Sequence, residues 1–191
     1  MKRLLFSGAV FAVFYCKAQQ VFPLNTDYEI IPDHSYLKDL NKELLPYIGI
    51  YKANYQGNEI ALFIAKDNQR PLKRVNKDFY RDILIIRYLI KNSSGHVLQD
   101  VQNTQFPSSD SSYHFIESIA TNPLQNTVTF IYSGTNCGVG WGKILLKKLN
   151  ATQISWTYRA NSSVITDQNC PGNPDLTIYL PETENLIFTR Q

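Results

Sequence analysis

GIYKANYQGNEIALFIAK, residues 49–66, reads as two strands around one turn. Gly49 to Gln56 and Glu59 to Lys66 flank Gly57-Asn58, a dipeptide suited to a tight hairpin. In the second run Ile60, Leu62 and Ile64 alternate with Ala61, Phe63 and Ala65. That period of two belongs to a strand with two distinct faces and not to a helix.

The same period continues downstream. Phe79 to Lys91 is rich in Ile, Leu and Tyr, and Asn92-Ser-Ser-Gly95 turns it into His96 to Val101. Tyr113 to Ala120, Thr127 to Ser133, Gly142 to Leu149 and Gln153 to Ala160 follow. Val128, Phe130 and Tyr132 share one face, as do Ile154, Trp156 and Tyr158. A last pair, Leu176 to Leu180 and Leu186 to Arg190, brackets a turn at Pro181-Glu182. Many short strands with regular turn signals predict a mainly β chain, an antiparallel meander closed into a barrel or stacked as a sandwich. The tyrosines on these strands read as core packing with polar tips.

Upstream of the hairpin the period changes. Leu37, Leu40 and Leu44 recur at helical spacing, with Asp33 or Ser35 as N-cap and Pro46 as a stop. One short N-terminal helix over about 36–45 is expected. Residues 19–35 hold Pro23 and Pro32 and read as an irregular lead-in to a single all-β domain, 36–191. Residues 1–18 read as an export signal: Lys2 and Arg3, then the uncharged run Leu4 to Tyr15, then Cys16-Lys17-Ala18 before a cut at Gln19. The expected location is periplasmic or secreted. Lipid anchoring at Cys16 is the minor alternative, because bulky Phe14 and Tyr15 precede that cysteine.

The signal changes the charge balance. The chain carries 19 Lys+Arg against 16 Asp+Glu. Lys2, Arg3 and Lys17 lie in the signal, which holds no acid, so residues 19–191 are neutral overall. A neutral chain offers no broad positive field for nucleic acid. After the signal no run is apolar and long enough to span a membrane. With Cys16 removed, Cys137 and Cys170 remain, and in an oxidising compartment a pair of cysteines forms a disulfide. Closing a loop of this length contributes about 3–4 kcal/mol in the chain-entropy model.

If the strands meander, alternate connections share an end. Connections 57–58, 92–95, 121–126 and 150–152 are short; 67–78, 102–112, 134–141 and 161–175 are long. Long loops gathered at one end of a rigid scaffold are where binding sites sit. Both cysteines fall in the long set. Candidate binding residues there are the basic Arg70, Lys73 and Arg74 and the aromatic Phe106, Tyr113 and Trp141, an exposed ring being able to stack on a sugar. Lys77 and Arg81 extend the basic cluster, whose plainer reading is a solvated charged loop.

Other motifs point away from chemistry. Gly134-Thr-Asn-Cys-Gly-Val-Gly-Trp-Gly-Lys143 is glycine-rich, yet Cys137 stands where a phosphate loop needs its first glycine and Ile144 where it needs Ser or Thr. His34, His96 and His114 are scattered without metal-ligand spacing. No nucleophile elbow is present and the acids are spread singly. No metal or cofactor is expected, and binding is favoured over catalysis. The expected partner is a small ligand, a glycan or an envelope component. The rival readings are a secreted hydrolase with dispersed catalytic residues, marked by a titratable pair in a cleft, and a structural, partner-binding envelope protein, marked by a flat apolar patch or an unpaired edge strand.

Tyr47-Ile-Gly-Ile-Tyr51 with its hairpin resembles the start of a lipocalin-type barrel, which has a short helix and then Gly-x-Trp on its first strand. Gly49 matches, Tyr51 stands for the tryptophan, and Arg190 is placed for the arginine that packs over it. The resemblance implies a barrel, but the minimal Gly57-Asn58 turn departs from the long first loop of an open calyx. A broader likeness rests on Asp39-Leu-Asn41, Tyr47-Ile-Gly49, Arg70-Pro-x-Lys-Arg74, Asn76-Lys77, Tyr80-Arg-Asp82 and Arg87-Tyr88. These resemble an uncharacterised family of exported Bacteroidota proteins, whose signals end in Ala-Gln as Ala18-Gln19 does. That likeness implies compartment and bacterial group, and no catalytic residue.

Overall fold

The computed structural model describes residues 18–106 and 113–191. The strands are β1 (Val21–Pro23), β2 (Tyr36–Lys38), β3 (Gly49–Tyr55), β4 (Asn58–Arg74), β5 (Lys77–Lys91), β6 (Val97–Asp100), β7 (Ile116–Asn122), β8 (Thr127–Tyr132), β9 (Gly142–Lys148), β10 (Gln153–Ala160) and β11 (Thr183–Arg190). Eight of them, β3, β4, β5, β7, β8, β9, β10 and β11, form a closed antiparallel barrel of lipocalin-like architecture. Closure needs two seams: Thr189 and Arg190 of β11 pair with Lys52 and Tyr51 of β3, and Ile85 and Ile86 of β5 pair with Glu117 and Ile116 of β7. The expected mainly β, antiparallel fold is therefore present, as a barrel.

The alternation seen in the sequence points into this barrel. Ile60, Leu62, Ile64, Val128, Phe130, Ile144, Leu146 and Ile154 are all at most 3% exposed. An eight-stranded barrel is just wide enough for side chains to fill. Here Trp156, Tyr51, Tyr88, Tyr132, Tyr158, Phe130 and Phe188, each below 2% exposure, occupy that space as one continuous apolar cluster. The rings pack edge-on or tilted, with Trp156 5.8 Å from Phe188 and Tyr132 5.9 Å from Tyr158 between centroids. The interior is thus a packed core, in keeping with the minimal first turn.

The lipocalin-like pattern of the first strand is realised in space. The Arg190 guanidinium lies 5.9 Å over the Tyr51 ring and donates to the carbonyl of Ile48. Gly49 has φ +150, and a Cβ there would lie 2.8 Å from Arg190 Nε. Glycine at that position is what lets the arginine lie down across the barrel end. Lys148 covers the same ring at 5.7 Å.

Three expectations are corrected. The first is the helix over 36–45, which is reduced to a single 3-10 turn at Leu45–Tyr47. A helix would bury Leu37, Leu40 and Leu44 along one stripe. Instead Leu37 joins a small cluster with Ile31 and Phe79, Leu44 enters the barrel core, and Leu40 is exposed. Tyr36 and Leu37 pair in parallel with Tyr80 and Arg81 of β5, and Val21 of the lead-in pairs with Tyr36.

The second is the loop at 67–78, which is strand. β4 and β5 continue past the barrel as a two-stranded extension, Lys73 opposite Asp78 and Arg74 opposite Lys77, after a bulge at Asp67–Arg70. Its turn is Val75-Asn76, with Val75 at φ 54. A β-branched residue in that conformation carries no turn signal. The third is the strand at Leu176 to Leu180, which forms no ladder; it is a strap held by side chains, described below.

Strand direction assigns the loops to ends. β6 and β7 both run antiparallel to β5, so the crossing between them does not reverse the chain. One end, the base, carries the tight connections 75–76, 123–126 and 149–152. The other, the mouth, carries 56–57, 92–96, 133–141 and 161–182. The expected grouping holds for the loops containing Cys137 and Cys170; it fails for 67–78, which lies at the base, and for the short turns 57–58 and 92–95, which lie at the mouth with the long loops.

Among the described residues no helix is long and apolar enough to cross a membrane. The signal reading of residues 1–18 falls outside the described residues apart from Ala18, and Cys16 lies outside them.

Candidate functional site

The mouth is built from three layers. Outermost is the cap, loop 133–141, joined to loop 161–182 by the Cys137–Cys170 disulfide with Cα atoms 5.4 Å apart. The glycines of this loop serve close packing. A Cβ on Gly134 (φ +90) would lie 2.4 Å from the Gly138 backbone, and one on Gly140 (φ +73) 2.7 Å from Ile178. Cys137 itself sits at φ 57.

Beneath the cap lies a layer of buried hydroxyls. Tyr158 donates to the Gly140 carbonyl, tying barrel interior to cap. The hydroxyls of Tyr88 and Tyr132 are 3.4 Å apart, and Tyr88 Oη is 3.3 Å from His114 Nδ1. Gln99 Nε2 is 3.0 Å from the same nitrogen. Nδ1 of His114 is thus held between the Tyr88 hydroxyl and the Gln99 carboxamide. Burial pushes the phenols of Tyr88 and Tyr158 up and that of Tyr132 up to about 12. Burial lowers His114, with a smaller opposing contribution from Asn136.

The sign of the His114 shift sets a pH dependence. The unfolded chain takes up a proton near pH 6.5, about the ordinary histidine value, while the folded chain resists it. Stability from this site is therefore complete above that pH and declines as pH falls through it toward the folded value. Urea unfolding across this range is expected to show that decline, and His114→Asn, which tolerates the residue's φ of 64, to remove it. An unchanged profile in the variant would assign the decline to other groups.

The third layer is an open cleft of about 440 Å³ between hairpin β3–β4 and the strap. Tyr55, Gln56 and Asn58 form one wall; Thr177, Tyr179 and Glu182 form the other, over Ile178 and Leu180. The strap is fixed along its length. The Trp156 indole donates to the Pro181 carbonyl at 2.9 Å and the Tyr55 hydroxyl to the Glu182 carbonyl at 3.2 Å. The Ala160 N–H donates to Glu182 Oε1 at 3.1 Å, and Asn136 of the cap donates to the Asp175 carbonyl at 2.7 Å. Asp175 accepts from the Thr177 N–H at 2.9 Å and from the Tyr179 hydroxyl at 2.9 Å. Bonds from Thr177 and then Tyr179 hold its carboxyl below the usual range, and the bond to Asp175 raises the Tyr179 phenol.

The sequence-derived candidates are dispersed. Tyr113 (45% exposed) and Trp141 (46%) stand at the mouth, Tyr113 beside Gly138. Arg70, Lys73 and Arg74 lie on the β4 extension toward the base. Arg70 is 7% exposed, 4.9 Å over the Phe115 ring, and 3.0 Å from Asp67 and 4.0 Å from Glu117. Arg74 is 3.8 Å from Glu117, and Lys73 is exposed. Acids interleave this cluster, so it does not present a bare positive face. Nearby, Lys77 donates to the carbonyls of Glu29 and Ile31, and Arg81 to that of Ile119. Phe106 is buried on the outer wall with Ile83 and Ile85, 4.8 Å from Phe115 and 5.4 Å beneath Arg87. Part of the 102–112 loop, residues 107–112, falls outside the described residues.

A second polar cluster, missed in the sequence, lies on the barrel wall near the base. The Asp82 carboxylate, 1% exposed, accepts from the Tyr36 hydroxyl, from the N–H of Asp39 and of Gln69 at 3.1 Å each, and from Lys66 at 2.9 Å. Lys66 is also 3.5 Å from Asp39, whose carboxylate accepts from the N–H groups of Glu43 at 2.7 Å and Leu44 at 3.2 Å. Burial raises Asp82, but the bonds from Tyr36, Lys66 and the backbone outweigh it and hold the carboxyl below its usual range. Every acceptor faces a donor of the protein, so this cluster clamps the N-terminal segment to the barrel. Asp82 directly precedes the apolar run Ile83 to Ile86, and an acid at the edge of such a run is the signal that marks it.

No group of three or more His, Cys, Asp or Glu side chains able to hold a metal occurs among the described residues. The fold and the site define a closed β-barrel protein with a braced, cleft-bearing mouth. Comparison of the chain with models of known families, with curated proteins and with solved structures finds no match.

Proposed function

We propose that this chain is an exported binding module in which the packed barrel is the scaffold and the mouth is the working surface. The observation that carries this is the cleft between Gln56 and Glu182, the place where an open, polar-rimmed hollow meets a rigid frame. Its size is that of small-ligand sites, roughly 300–1,000 Å³. Its walls are preset by hydrogen bonds and, through the cap, by the disulfide, so little ordering remains for a ligand to impose. Export is supported by the disulfide, since such bonds persist in oxidising compartments. Of the titratable groups within hydrogen-bond reach of each other, Asp82 and Tyr88 are enclosed in packing, and the pair that borders the cleft, Tyr179–Asp175, is engaged in holding the strap.

The test is a thermal-shift screen of glycans, peptides and lipids, with hits mapped by backbone amide shifts. The expected result maps a hit to residues 55–58 and 177–182. A hit confined to the base, or one that the protein turns over, overturns the reading.

A further inference from the structure

We infer that the mouth cleft takes a neutral saccharide, an assignment that rests on the binding-module reading above. A sugar presents apolar C–H faces and an edge of hydroxyls that both donate and accept. The cleft presents the complement. Tyr55 and Tyr179 stand on opposite walls, one on the hairpin and one on the strap. Each phenol already donates within the protein, Tyr55 to the Glu182 carbonyl and Tyr179 to Asp175. The rings are thereby held in place and a ligand does not have to satisfy those protons. An aromatic ring fixed in this way is an apolar platform with a wet edge.

Around the rings stand groups that suit hydroxyls. Gln56 and Asn58 carry carboxamides, which donate and accept in one plane. Gln56 is itself steadied by its bond to the Tyr55 hydroxyl at 3.1 Å. Glu182 is fixed from below by the Ala160 N–H. A carboxylate accepts strongly from a sugar hydroxyl.

The charge of the lining excludes the commonest alternative. Among the described residues no Lys or Arg lines the cleft, and its acid is Glu182, with Asp175 behind Tyr179. A phosphate or carboxylate ligand would enter with no cation to meet it and two acids nearby, a costly arrangement. A cationic ligand is the chemical rival, because acids and tyrosine faces attract it. The two carboxamides favour the saccharide, since an ammonium uses only their oxygens.

The experiment titrates the purified protein with maltose, cellobiose and chitobiose, and separately with spermidine and a neutral tripeptide. Calorimetry and the amide shifts of Asn58 and Thr177 are the readouts. A disaccharide is expected to bind and move both resonances. Tyr179→Ala is expected to weaken it about tenfold, the scale of one lost aromatic contact, whereas Tyr179→Phe stays within about threefold. Leu124→Ser, at the base and 97% exposed, is expected to leave binding unchanged. If Tyr179→Ala does not fold, Asn58→Ala takes its place, with a loss of about fivefold for one hydrogen bond. If spermidine or the peptide moves these resonances and no disaccharide does, the saccharide assignment falls and the binding module stands. If nothing moves them, the saccharide assignment falls, and the binding module is decided by the wider screen of peptides and lipids.

Discussion

Asp82→Ala lowers the stability of this protein by about 3–5 kcal/mol, the scale for breaking a buried charge pair by removing one partner. The carboxylate is the acceptor for Tyr36, Asp39 N–H, Gln69 N–H and Lys66, and it is 1% exposed. Alanine leaves those donors facing a void on the barrel wall. The damage is directional. Tyr36 and Asp39 belong to the segment that adds β2 and β1 to β5, so residues 19–44 are expected to become protease-sensitive while the barrel strands stay protected. Urea unfolding gives the magnitude and limited proteolysis the location; a loss below about 1 kcal/mol would show that the clamp is worth no more than a surface pair. Acid should act the same way. Asp82 is held below the usual carboxylate range, so its contribution is complete above about pH 3.9, the ordinary unfolded value, and is lost as pH falls through the folded one.

The second large effect is at the other end. Cys137→Ser with Cys170→Ser removes a crosslink spanning 33 residues, worth about 3–4 kcal/mol in the chain-entropy model. The bond ties the cap to the loop that becomes the strap, and Asn136 beside it anchors Asp175. Amide exchange is therefore expected to speed up across 134–141 and 161–182 and to remain slow in β8, β9 and β10 near the base. Ligand binding in the cleft should weaken with it. A native protein with two free thiols by mass, or a variant as stable as the parent, would remove the brace from this account.

The two effects describe one construction. The barrel core is filled by large aromatic side chains, so it supplies rigidity. Each end is then finished by polar groups acting on a segment outside the barrel. At the base these groups are Asp82 and Lys66; at the mouth they are the tyrosine hydroxyls and the disulfide. The cleft occurs at the mouth because the connections there are long enough to leave the sheet and return over it.

The parts of this design differ in how far they are local. Runs such as Gln153 to Ala160 carry their own answer: alternate residues must face opposite sides, and burial selects the apolar side. That is why the strands of the barrel and the Gly57 turn were legible. The 36–45 segment misled because leucines at helical spacing are also compatible with separate burial in two places. The Val75 turn was silent because its residue is one that turns disfavour. The candidate residues were read from loops, so Tyr55 and Tyr179, which line the cleft, passed as core tyrosines.

The amino-acid sequence by itself determined the β class and the pattern of inward side chains, because period acts on residues without reference to distant partners, and the pairing expected of Cys137 with Cys170 is present. Only the tertiary structure decided the closure of β11 on β3, the clamp that brings Asp82 to Tyr36 and Asp39, and the cleft between Asn58 and Glu182. Each of these joins residues more than forty positions apart, and their contact depends on how the sheet twists and closes, which no local pattern of residues encodes.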